Sequence, residues 1–203
     1  MTEPIAAVAF DLGGVVFRYR PERRLDAFAR ATGRSPAALQ KALIDSGYAR
    51  SCDAGRLTGE AAYREGSRLL GQRLGFGRFR STWIEAFEPD PGVVALVRRL
   101  RERLPVAMLT NNSDLVRSGL EARDGEVMEL FRPRVFSADT GMLKPDPRLY
   151  RTLLDLLEEP PERVLYVDDE PACTAAAEAL GMPAHRFESA AGLQALLSSQ
   201  GLL

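Results

Sequence analysis

The chain has 203 residues, 45% of them hydrophobic and 27% charged, with a formal net charge of -1 at pH 7. This length fits one generous domain or a domain with a modest insertion, the composition is that of a globular protein with a real core, and near-neutrality removes the electrostatic case for a nucleic-acid partner. No apolar stretch reaches the ~20 residues of a membrane span, and no charged-then-apolar targeting segment follows Met1, so a cytoplasmic protein with no membrane partner is expected.

In chain order, the first apolar run is Ile5 to Phe10, which ends at Asp11 and the turn Asp11-Leu12-Gly13-Gly14-Val15. A carboxylate therefore stands at the C-terminal tip of a buried strand, where open α/β sheets bind ligands. Helical patterns follow from Pro21 to Thr32, Ser35 to Gly47 and Thr58 to Leu70. Ser35-Pro36 reads as an N-cap followed by proline at the first helical position, and Thr58-Gly59-Glu60 as a cap with acid in the first turn. Phe76, Phe79, Trp83 and Phe87 are expected to seat these helices against the rest of the chain. Arg18 and Arg20 are expected at the surface.

Glu88-Pro89-Asp90-Pro91-Gly92 has the composition of a stiff return hinge. Val93 to Leu104 reads as an amphipathic helix whose Arg98, Arg99, Arg101, Glu102 and Arg103 form its solvated face. Further strands are expected at Val106 to Leu109, Arg134 to Ser137 and Val164 to Val167. A helix opened by Asp146-Pro147 is stopped by Pro160-Pro161, and an alanine-rich helix runs from Pro171 to Leu180, ended by Gly181. Cys52 and Cys173 are far apart and read as reduced thiols, and His185, the only histidine, as a packed or surface residue.

Continuous rather than alternating apolar runs, with helices between them, predict a doubly wound α/β fold: a Rossmann-like parallel sheet with helices on both faces. Nearly a hundred residues separate the first and second strands, far more than a crossover needs. Residues 17–87 are therefore expected to form a small helical cap inserted into a core made of residues 1–16 and 88–203.

Asp11, Thr110, Lys144 and the pair Asp168-Asp169 make a set suited to phosphoryl transfer, which needs an in-line nucleophile, charge neutralisation and usually magnesium. Asp11 can attack phosphorus and form an aspartyl-phosphate. Asp168 and Asp169 offer hard oxygen ligands for Mg²⁺, joined by Asp11 and the Gly13 carbonyl. The Thr110 hydroxyl, the Asn111 backbone amide and the Lys144 ammonium can hold the phosphoryl oxygens. Crowding three carboxylates raises their pKa values unless a cation is present, which itself argues for a metal.

These segments resemble the four motifs of the haloacid dehalogenase superfamily, in the branch with a small helical cap after the first strand. Phe10 to Val15 matches the first motif, Leu109 to Asn111 the second, Gly141 to Pro147 the third and Tyr166 to Asp169 the fourth. The resemblance implies Asp11 as nucleophile, phosphate binding by Thr110 and Asn111, and Lys144 steadying both the nucleophile and the phosphoryl group. It further implies Mg²⁺ held directly by Asp169 and directly or through water by Asp168. The expected activity is hydrolysis of small organic phosphate monoesters, similar to that of bacterial sugar-phosphate phosphatases, by a monomer or weak homodimer. Two positions depart from the pattern. Gly13 stands where phosphatases of the superfamily usually carry an acid/base Asp, and Cys173 where an Asn is usual. The alternatives are a metal-independent haloacid dehalogenase, disfavoured by the acidic fourth motif, and a fold that binds a phosphorylated ligand or protein with little turnover, which Gly13 permits.

Overall fold

The apolar runs become strands of one parallel sheet in the computed structural model, which describes residues 4–203. In chain order the strands are β1 (Ala7–Phe10), β2 (Phe17–Tyr19), β3 (Phe87–Pro89), β4 (Val106–Thr110), β5 (Arg134–Phe136), β6 (Val164–Asp168) and β7 (Ala184–Arg186). The sheet order is β5-β4-β1-β6-β7, every pair parallel, with Phe10 opposite Met108 on one side and Val167 on the other. Alternate residues of each strand point to opposite faces. Val8, Phe10, Met108 and Val167 pack with Val93, Val97, Leu193 and Leu197 of helices Pro91–Arg101 and Ala190–Ser199. Ala7, Ala9, Ala107 and Tyr166 pack with Leu149, Leu153 and Ala177 of helices Pro147–Leu157 and Pro171–Ala179. Both faces are covered, which is why the runs are apolar at every position.

Local signals fix the helix starts. Asp146 accepts the Arg148 amide at 2.9 Å with Pro147 in the first turn, and Ser35 accepts the Ala38 amide at 3.3 Å ahead of Pro36. Such caps each contribute about 1 kcal/mol. Thr58 departs from expectation, because its side chain makes no cap bond. The Gly59 amide instead donates to Asp114 Oδ2 at 2.6 Å, so a carboxylate from another helix does the capping. Cys52 and Cys173 are free and buried, and His185 lies half-buried in β7.

The expected hinge is a two-stranded ribbon. β2 and β3 pair antiparallel, Tyr19 opposite Phe87, and Arg18 donates to Asp90 at 2.9 Å just beyond. Between these strands lie helices Pro21–Thr32, Pro36–Gln40 continued by a π-helical turn Lys41–Asp45, Tyr48–Asp53, Gly59–Leu70 and Phe76–Trp83. Of the four aromatics expected to seat the insertion, Phe79, Trp83 and Phe87 join the buried cluster that is continuous with the core, and Phe76 does not. Phe79 and Trp83 pack on Phe28, Tyr63 and Tyr48 inside the helical insertion, Phe87 packs on Phe17 and Tyr19 in the ribbon, and Phe76 is exposed. Ile84 is one of the insertion's contacts with the core, its methyl standing 2.5 Å from where a Cβ at Gly119 would lie.

Candidate active site

Parallel strands deliver the expected residues to one end of the sheet. Asp11 follows β1, with its amide bonded to the Val167 carbonyl at 2.8 Å, while Thr110 ends β4 and Asp168 ends β6. The strand order runs outward from β1 through β4 to β5, then reverses to β6 and β7, so the three loops meet at a topological switch point. Lys144 comes from the loop ahead of helix Pro147–Leu157.

The Lys144 ammonium joins these loops. Its Nζ lies 2.7 Å from Asp11 Oδ1, 2.7 Å from Asp168 Oδ2 and 3.1 Å from the Tyr166 hydroxyl. The Asp168 contact is an aligned hydrogen bond, whereas the Asp11 contact is an ion pair off the hydrogen-bond line. Asp168 is fully buried, and its oxygens also accept from the Tyr166 hydroxyl and from the Glu170 amide at 2.8 Å. Asp11, Asp168 and Asp169 each offer a carboxylate oxygen within 4.8 Å of the others. Gly14, at φ +96°, makes room for this, since a Cβ there would stand 2.3 Å from Asp169 Oδ2.

Burial dominates the titration of the site. It pushes the Asp11 carboxyl up to about 6, against the pull of the Lys144 ammonium. Asp169 is raised by burial and then by Asp168. Burial opposes the charge on Lys144, but Asp11 and Asp168 together outweigh it and hold the ammonium above the ordinary lysine range. Tyr166 is raised well above its usual value by burial and by Asp168, so it stays a neutral donor. Three carboxylates thus face one ammonium, an excess of two negative charges on hard oxygen donors. That set fits a divalent cation of the Mg²⁺ type.

The residues that follow β4 are tied by short bonds. Asn111 makes a reciprocal pair with the Lys144 backbone, Oδ1 accepting the amide at 2.7 Å and Nδ2 donating to the carbonyl at 3.0 Å. Thr110 Oγ1 accepts from Asn112 Nδ2 at 2.7 Å, which turns the hydroxyl proton toward other acceptors. Above Asp11, Thr110 and Asn111 opens a cavity of about 380 Å³, roofed by Tyr19, Arg24, Arg50, Asp53 and Trp83. Gly13 also lines it, and a Cβ there would stand 3.1 Å from the Phe87 ring, a tight contact that a small shift of the ring would relieve.

The structure brings all seven expected positions, Asp11, Gly13, Thr110, Asn111, Lys144, Asp168 and Asp169, to this one end of the sheet. Arg18 and Arg20 are exposed as expected. Sequence reading passed over Tyr166, Asn112, Arg24, Arg50 and Asp53. Arg24 had a signal: it shares the apolar stripe of its helix with Ala27 and Phe28, and its guanidinium lies buried 4.3 Å over the Trp83 ring while Nε donates to the Trp83 carbonyl at 2.7 Å. Asp53 ends a six-residue helix too short to show a period.

Comparison with known proteins agrees with this architecture. A HAD family enzyme from Bacteroides thetaiotaomicron superposes with a TM-score of 0.80 at 18% identity, covering 92% of this chain and 95% of that one. Another structure of that enzyme is a complex with magnesium and inorganic phosphate. An L-2-haloacid dehalogenase from Xanthobacter autotrophicus superposes with a TM-score of 0.64 at 20% identity, covering 98% of this chain and 84% of that one. A sesquiterpene phosphatase of Aspergillus oryzae is 26% identical over 189 residues, which are 90% of this chain and 89% of the relative. Residues 5–181 match the haloacid dehalogenase-like hydrolase family, and with its motifs gathered at one sheet end the chain belongs to that family of hydrolases.

Proposed function

We propose that this hydrolase is a Mg²⁺-dependent phosphatase of small organic phosphate monoesters, acting through an aspartyl-phosphate at Asp11. The observation that carries this reading is the buried Lys144 ammonium, 2.7 Å from both Asp11 and Asp168, with Asp169 completing an acidic triad at the same sheet end. A dehalogenase that works without metal has no use for that excess negative charge. The magnesium and phosphate complex of the Bacteroides enzyme and the phosphatase activity in the name of the Aspergillus relative support the same reading.

In this reading a carboxylate oxygen of Asp11 attacks phosphorus and the ester bond to the leaving group breaks. Lys144 holds a fixed positive charge beside the nucleophile, the Thr110 hydroxyl donates to a phosphoryl oxygen, and the Asn111 backbone amide donates to another. The Asn111 side chain, committed to Lys144, keeps the second and third motifs in register. Each such donor is worth about 10²–10³ in rate. Asp11, Asp168, Asp169 and the Gly13 carbonyl would hold Mg²⁺, which when bound neutralises charge on the transferring group. Residues 17–87 serve as the cap, closing over the leaving group, and residues 1–16 and 88–203 as the catalytic core.

The test is hydrolysis of a panel of alkyl and aryl phosphates by purified protein with Mg²⁺ or with EDTA. Turnover is expected with Mg²⁺, reversible loss with EDTA, abolition by Asp11→Asn and a fall of at least ~10² for Lys144→Met. Metal-independent halide release from a 2-haloacid, with no phosphate release, would overturn the reading in favour of a dehalogenase.

A further inference from the structure

The phosphatase reading leaves one role unfilled, because Gly13 has no side chain to give a proton to the leaving group. Asp53 opens on the same cavity as Asp11 and Thr110. It terminates helix Tyr48–Asp53, and the backbone N–H of Ser113, three residues beyond Thr110, is among the groups that favour its charged form. This places the acid on the cavity shared with Thr110, Asn111 and Asn112.

The backbone around Asp53 is pinned to the core. The Asp53 carbonyl accepts from Ser137 Oγ at 2.6 Å. Gly55, at φ +68°, runs so close to the chain after β5 that a Cβ would stand 2.2 Å from the Ala138 carbonyl oxygen. Only glycine permits that approach. The charged groups that act on Asp53 are Arg24, from helix Pro21–Thr32, and Arg50 on its own helix; Asp114, next to Ser113, is tied to the Gly59 amide.

From this placement we infer that Asp53 is the general acid and base that replaces the missing carboxylate at position 13. Resting on the phosphatase reading, the cycle balances as follows. An Asp11 oxygen bonds to phosphorus as the ester P–O bond breaks, and the leaving oxygen takes the Asp53 proton. A water oxygen then attacks the aspartyl-phosphate, its proton passes to Asp53, and the P–O bond to Asp11 breaks to release inorganic phosphate and restore both carboxyls. Burial, opposed by Arg24, pushes the Asp53 carboxyl up to about 7, so both protonation states are available near neutrality.

A carboxylate that merely helps to seat the insertion would affect all substrates alike, whereas a general acid matters most where the leaving group is poor. The experiment compares the parent with Asp53→Asn and Asp53→Glu on p-nitrophenyl phosphate and on glycerol 2-phosphate, in Mg²⁺, with thermal unfolding to verify folding. Expected for Asp53→Asn is a loss of ~10²–10⁴ in kcat/KM on the alkyl ester and under ~10-fold on the aryl ester. Release of p-nitrophenol should show a burst as phosphorylated Asp11 accumulates, and Asp53→Glu should restore part of the alkyl activity with a shifted pH profile. Equal losses on both esters with no phosphoenzyme overturn the Asp53 assignment alone. A parent that hydrolyses neither ester overturns the phosphatase reading and this inference with it.

Discussion

At the scale of single residues, the site is governed by buried charge, and Asp53 shows what that costs. Its carboxyl titrates near 7 in the folded chain against 3.8 for the free group, with burial the main cause. Below about pH 4 both states are protonated and the residue is neutral to stability. Between about pH 4 and 7 the unfolded chain ionises first and binds fewer protons, so folding stability falls as pH rises, and above about 7 the penalty is constant. The shift corresponds to at most about 4 kcal/mol, reduced to about 1–2 kcal/mol because the side chain is partly open to the cavity. Asp53→Asn should therefore match the parent at pH 4 and exceed it by about 1–2 kcal/mol at pH 8, in EDTA, by urea unfolding. A variant less stable than the parent at pH 8 would mean that Arg24 and Arg50 over-compensate the buried charge. Enhanced stability together with slowed turnover is the pattern of a residue kept for function.

At the scale of elements, one of the contacts that hold the insertion, Ile84 against Gly119, leaves little room for change. Gly119 lies on helix Asp114–Arg123, where alanine is the better helix former by about 1 kcal/mol, yet its Cβ would come within 2.5 Å of Ile84 Cγ2. Gly119→Ala should lift the insertion, lower stability and raise KM for phosphate esters, and Ile84→Val should recover part of both in the double variant. The measurement is a double-mutant cycle on thermal unfolding and KM, and strictly additive effects would show that this contact does not seat the insertion. The same region separates what the sequence makes legible from what it does not. Strands β1, β4 and β6 were readable because burial on both faces forces unbroken apolar runs, β5 from the buried pair Val135-Phe136, and caps such as Ser35 and Asp146 announce themselves locally. Tyr48–Asp53 and Phe76–Trp83 run for six and eight residues, too short for a period to stand out. The β2–β3 ribbon joins Phe17 to Pro89, a pairing that only the tertiary fold sets. The motif positions at the sheet end were legible for the opposite reason: reactive side chains follow directly on strand ends. The insertion's contributions to the cavity, Arg24, Arg50 and Asp53, depend on how several short helices pack.

At the scale of the whole molecule, core and insertion share one apolar cluster running from Val8 and Phe10 through Phe17 and Phe87 to Phe28 and Trp83. Unfolding should therefore be a single event, and anything that binds the acidic triad should raise the midpoint of that event. Without a cation, Asp11, Asp168 and Asp169 repel one another against a single Lys144, and burial already raises Asp11 to about 6. A divalent ion present at a hundredfold excess over its Kd adds about 2.7 kcal/mol. For a chain of this size that is about 5–10 °C in Tm. Thermal unfolding at pH 8 should show one transition, higher by that amount in Mg²⁺ than in EDTA. At pH 5 the shift should shrink, because the proton on the raised Asp11 carboxyl must be displaced before the cation can bind. Asp169→Asn should lose most of the Mg²⁺ shift while being at least as stable as the parent in EDTA, since it removes one of the crowded charges. An equal shift in that variant, or one reproduced by NaCl at matched ionic strength, would reduce the effect to general screening and take Asp169 out of the cation site.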